Sequence, residues 1–183
     1  MKKILLIIVA AMMATVSVNA QKEYDNEIAV AYGGGSNTDL VSSIAKGMFT
    51  GKQLDYWGPV SVEYFHRLAN NNRWGFGGVF VVGGCKWDDS KDAKTTYYTI
   101  MPAVKYNWAV TKIVSWYSKA AFGLTFLSQS IDNKSSSKDD DASTSFNFQA
   151  SFVGVEVGGA LRAFGELGWG EQGIILGGLR YKF

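Results

Sequence analysis

Cysteine, histidine and proline are almost absent from this chain: 183 residues contain one, one and two of them, respectively. With Cys85 alone, no internal disulfide can hold the fold together. With His66 alone, any Ser/His/acid catalytic arrangement has to use that residue. Long helical patterns are also missing, and so is any apolar run of the roughly 20 residues that a membrane-spanning helix requires. The longest such run, about residues 4–16, follows Lys2 and Lys3 and precedes the small residues Val18-Asn19-Ala20. A charged start, a short apolar stretch and a small-residue end are the three parts of a secretory leader. Residues 1–20 are therefore read as a signal peptide cleaved near Ala20, and residues 21–183 as one exported domain. The alternative, a signal anchor, is disfavoured by the shortness of the run, and no cysteine at the cleavage site points to a lipoprotein.

Excess charge is missing as well. The formal +2 of the whole chain comes from Lys2 and Lys3, leaving 16 basic and 16 acidic residues. A nucleic-acid partner requires a basic excess or patch, and none is seen. What the chain has in quantity is glycine, at 21 residues, and aromatics, at 14%. That combination favours strands and tight turns.

Alternation with period two runs along most of the chain. Ile28, Val30 and Tyr32 form one face of a first strand, and Val60, Val62, Tyr64, His66 and Leu68 one face of a second. Trp74, Phe76, Gly78, Phe80 and Val82 follow, then Tyr98, Ile100, Pro102, Val104, Tyr106 and Trp108. The fifth has Trp116, Ala120, Phe122, Leu124 and Phe126. The sixth, residues 146–157, breaks parity, which predicts a bulge near residues 152–154. Leu161, Ala163, Leu167 and Trp169, and then Ile175, Leu179, Tyr181 and Phe183, give the seventh and eighth.

The two faces of these strands differ in kind. One is large and aromatic throughout; the other mixes small residues with Glu63, Arg67, Lys105, Lys119, Glu156, Arg162, Glu166, Arg180 and Lys182. This pattern suits a barrel with lipid outside and polar groups within, because backbone groups in lipid must all be paired and closure leaves no free edge. A soluble lipocalin-like barrel would need an apolar lumen and a wet exterior, and the charges on the narrow face argue against it. Connection lengths fit the membrane reading. The segments 34–57, 85–94 and 129–143 are long and 170–173 is short on one side; 70–72, 110–113 and 158–160 are all short on the other. The expected fold is all-β, an eight-stranded antiparallel up-and-down transmembrane β-barrel with a short helix in its first outer loop.

The motifs "GELGWG" (165–170) and "GGLRYKF" (177–183), together with the pattern of the whole mature chain, resemble the small eight-stranded outer-membrane barrels of the OmpA/OmpX type. The resemblance implies a cell outer-membrane location in a Gram-negative envelope, contact with outer-membrane lipid, and recognition of Leu179, Tyr181 and Phe183 by the barrel assembly machinery. It does not fix function, since such barrels include adhesins, structural proteins, narrow pores and a few enzymes.

Candidate sites follow from the faces. Eight strands enclose a lumen just wide enough for side chains to fill. Glu63, Glu156 and Glu166 are thus expected to pair with Arg67, Arg162, Arg180, Lys105 or Lys119; the alternative is a gated ion path along the same groups. His66 lies on the apolar face near the inner turn, where an interfacial placement is expected and no serine and carboxylate accompany it. In the first outer loop, residues 36–39 resemble a helix cap, and Leu40, Ile44 and Met48 follow at a spacing of four. This predicts a short amphipathic helix that packs over the mouth or at the interface, or else offers an extracellular ligand surface. Asp139, Asp140 and Asp141 do not have calcium-loop spacing and read as a solvated charge run. No cofactor is expected. The function expected is a non-enzymatic structural or surface-interaction role through the outer loops, with a narrow channel for ions or small solutes as the alternative.

Overall fold

The computed structural model of the chain describes residues 25–38, 55–68, 71–86, 93–111, 113–131 and 143–183. Among these residues the strands number eight: β1 (Asn26–Gly34), β2 (Asp55–Leu68), β3 (Asn71–Lys86), β4 (Ala93–Val110), β5 (Val114–Ile131), β6 (Ser143–Gly158), β7 (Leu161–Gly170) and β8 (Ile175–Lys182). Each pairs antiparallel with the next, and β8 returns to β1 through Ile28↔Tyr181, Val30↔Leu179 and Tyr32↔Gly177, closing the barrel. No sheet edge remains, so the ladder satisfies the backbone all round, as a hydrocarbon surrounding demands.

The period-two pattern sorts side chains as the sequence indicates, and the sorting is inside out. Ile100, Phe122, Phe126, Phe146, Leu167 and Ile175 face outward and are exposed, while Glu63, Lys105, Lys119, Glu156 and Arg180 face inward with 2% or less of their surface accessible. Leaving a large apolar side chain in water forfeits about 1.5–3 kcal/mol, and every strand does so. The exterior is therefore a lipid-facing belt, and the chain is a transmembrane β-barrel. Aromatic pairs mark its rim at the end carrying the short turns: Trp74 with Tyr106 at 4.7 Å and Tyr181 with Phe183 at 5.9 Å between ring centroids.

The parity break in β6 has a simple cause. Ser151 lies opposite Gly168 and Val153 opposite Leu167, so Phe152 is an extra residue in the ladder. Before it Asn147, Gln149 and Ser151 point inward; after it Gly154 and Glu156 do. The bulge lets Phe148, Phe152 and Val157 all face lipid. The long connections, 35–54, 87–92 and 132–142, share one end of the barrel with the short 171–174, and 69–70, 111–113 and 159–160 share the other. The expected helix at residues 40–49, the acidic run 139–141 and the leader 1–20 lie outside the described residues.

Candidate functional site

Inward alternation brings the ionisable residues of seven strands to one axis: Glu27 from β1, Glu63 and Arg67 from β2, Lys105 from β4, Lys119 from β5, Glu156 from β6, Arg162 and Glu166 from β7, and Arg180 and Lys182 from β8. β7 carries one charge of each sign, and β3 contributes Val79 and Val81 instead. A charge taken out of water needs both a counter-charge and hydrogen bonds, and the geometry supplies them.

Arg180 is the hub. Its guanidinium donates to Glu156 at 2.8 Å and to Glu63 at 2.8 Å, and lies 3.6 Å from Glu27 and 3.7 Å from Glu166. The rings of Tyr117 and Phe164 flank it at 4.9 and 4.3 Å. A planar fork suits this position, since it can serve several carboxylates in different directions while stacking on aromatics. Toward the short-turn end, Glu27 accepts from Lys105 at 2.6 Å and from Arg67 at 3.0 Å. Glu156 takes Lys182 and, at 3.3 Å, Lys105. Arg162 donates to Ser115 and to the Gly159 carbonyl and lies 3.5 Å from Glu156. Toward the long-loop end, Lys119 bridges Glu63 and Glu166, the latter at 2.8 Å, and Glu166 also accepts from Tyr117 at 2.7 Å and Ser151 at 2.5 Å.

Above this network the β7–β8 hairpin turns into the barrel. Glu171 and Gln172 are fully buried. The Gln172 side-chain amide donates to Glu63 and to Ser61, each at 2.8 Å, and its backbone N–H donates to Gln149. Glu171 accepts from Thr38 at 2.7 Å and from Asn147 at 2.8 Å, and Asn37 donates to Asn147. Glycine makes the inward turn possible. Gly170 and Gly173 have φ of +145° and +112°, and a Cβ on Gly33 would stand 1.7 Å from the Gln172 carbonyl oxygen.

Lumen residues singled out in the sequence thus meet in one network, and Leu179, Tyr181 and Phe183 lie together on the outer face of β8. His66 is exposed on the belt, bonded to Asn26 at 2.9 Å. Among the participants that the sequence does not single out are Glu27, Tyr117, Glu171 and Gln172. Glu27 was legible: the alternation of β1 extends one residue before Ile28. Tyr117 alternates with Trp116 and so falls on the inner face, but nothing in the sequence marks it as an acid's partner. Glu171 and Gln172 sit in a connection with no periodicity, and only the flanking glycines hint at a special path. Among the described residues no three of His, Cys, Asp or Glu converge as a metal site requires.

No family model matches the chain, and no curated protein matches it. Among solved structures it is similar to the attachment invasion locus protein Ail of Yersinia pestis. The crystal structure of Ail is 16% identical with a TM-score of 0.48, its structure in phospholipid bilayer nanodiscs 17% with 0.46, and its complex with the heparin analogue sucrose octasulfate 15% with 0.47. Each comparison covers 88% of this chain and 100% of the other. The barrel follows from this chain's own strand pairing, and the chemistry of the lumen from its own residues. The chain is a closed eight-stranded antiparallel barrel of the small membrane-spanning kind.

Proposed function

We propose that the protein is an integral outer-membrane barrel without enzymatic activity, exported by a leader at residues 1–20, which presents its long connections to an extracellular partner. The observation that carries this reading is the filled lumen. Lys105, Tyr117, Glu63, Glu156, Arg180, Glu171 and Gln172 each retain 1% or less of their surface, and together they obstruct the axis from the short turns to the long-loop mouth. A barrel so filled acts as a rigid mount, and what varies around it is the set of connections at one end. The lumen charges serve as an internal staple. The outward face of β8, with Leu179, Tyr181 and Phe183, is the segment offered to the assembly machinery.

The second reading, a narrow channel, has one observation in its favour: polar groups run continuously from Lys182 through Glu156, Arg180 and Glu63 to Gln172. Planar-bilayer recording on the refolded protein separates the two. Silence across the voltage range is the expected outcome; stable conductance steps would replace the mount with a channel. In the same preparation, removing residues 40–49 while the barrel still folds tests the first loop. Loss of binding to target cells is expected, and unchanged binding would take that loop out of the interaction surface.

A further inference from the structure

The lipid-facing belt is not evenly filled. On β6–β8 the register aligns Val155 with Gly165, and Gly165 with Gly177, which in turn lies beside Tyr32 of β1. Across the other side Val155 pairs with Trp116 of β5. Two adjacent strands therefore carry no side chain at one level, between the bulk of Trp116 and Val155 on one flank and Tyr32 on the other. Leu167 and Ile175, paired with each other, close the depression toward the long-loop end. The result is a mainly apolar trough of about 260 Å³ lined by Trp116, Val153, Val155, Gly165, Leu167 and Ile175; Glu166 and Leu176 also border it, the Glu166 carboxylate being turned into the lumen toward Tyr117 and Ser151.

We propose that this trough is a binding site for one acyl chain of a membrane phospholipid, held longer than the lipids that merely surround the barrel. The inference rests on the transmembrane reading, because the trough is continuous on every side with the belt that faces hydrocarbon. Its occupant follows from that position. Left empty, the trough would forfeit the dispersion contacts of its lining atoms. Water would find no free polar side chain in the lining, since the Glu166 carboxylate is engaged in the lumen by Tyr117, Ser151 and Lys119. A second barrel, convex and rigid, would have to present a matching ridge, whereas an acyl chain bends into a depression one side chain deep. Trp116 and Leu167 then grip the chain from two flanks, and the absent side chain at 165 lets it approach the backbone.

The test uses the full chain refolded into phosphatidylethanolamine vesicles, extracted in mild detergent and weighed by native mass spectrometry. The wild type should retain one phospholipid. Gly165→Leu fills the trough from its floor, and its new Cβ would meet only the Leu176 carbonyl oxygen, at 3.8 Å, so the barrel should still fold. Retention should fall at least tenfold. Gly78→Leu is the control: this glycine sits on the far wall, where a Cβ would meet only the Met101 carbonyl oxygen at 3.7 Å, and retention should not change. Equal retention by the wild type and Gly165→Leu would overturn the proposal. So would a wild-type dimer that Gly165→Leu dissociates with no change in lipid, because a second copy would then be the occupant. Failure of the wild type to enter vesicles at all would instead sink the transmembrane reading.

Discussion

Arg180→Ala should destabilise the barrel by about 3–5 kcal/mol, the cost of leaving buried charges uncompensated. The loss should appear as a lowered midpoint in reversible urea unfolding from lipid vesicles, followed by tryptophan fluorescence. The size follows from the position of the side chain. It has no accessible surface, two of its hydrogen bonds go to Glu63 and Glu156, and it stands near Glu27 and Glu166. Removing it leaves those carboxylates to Lys105, Lys119, Lys182 and Arg67, which are already engaged. Arg180→Lys should fall between wild type and alanine, because an ammonium keeps the charge but cannot fork toward two acids and stack between Tyr117 and Phe164. Arg67→Ala should cost less than Arg180→Ala, since Arg67 stands at the short-turn end of the lumen with 8% of its side chain accessible. A loss below about 1 kcal/mol for Arg180→Ala, the range of an exposed ion pair, would show that the network is not the internal staple.

Ile100→Arg is the second large effect. Ile100 is 57% exposed, paired across the belt with Phe80 and Leu124. At an exposed site of a water-soluble protein such a change is usually within about 0.5 kcal/mol of neutral. On the lipid face near the bilayer midplane a cation costs roughly 2–4 kcal/mol. The same urea titration in vesicles should therefore show a loss in the higher range. An unchanged midpoint would mean that this wall does not meet hydrocarbon.

These two substitutions probe opposite faces of one design. In lipid, apolarity cannot decide which side of a strand turns inward, because the surroundings are as apolar as any core. The polar side decides it: charged groups find partners only in the lumen, and a one-residue slip would turn all of them into hydrocarbon. This explains why a buried ion network, often no more stabilising than an apolar core, suits this position.

It also explains how much could be read from the sequence. Alternation is a local property of each strand, so the face of Glu63, Lys105, Glu156 and Arg180 was visible without any structure, and so was the bulge, since an extra residue must break parity at Phe152. Partnerships are not local. That Arg180 and not Lys105 stands at the hub depends on strand register around a closed barrel, and register is carried by the pairing of strands far apart in sequence, such as β1 with β8. The inward β7–β8 hairpin was least legible. Glu171 and Gln172 read as surface polar residues in a short connection, and their burial depends on the carboxamide and hydroxyl groups of Gln149, Asn147 and Thr38, brought to the mouth by other strands.

The most direct measurement is the mobility of the membrane-extracted protein in SDS gels, unboiled against boiled, alongside fractionation of the cell envelope. A closed barrel with an ion-paired lumen should remain folded in the detergent and migrate differently until heated, and it should be recovered with the outer membrane. Identical mobility before and after boiling, with the protein in the soluble periplasmic fraction, would contradict a transmembrane barrel and mean that the aromatic face does not meet lipid.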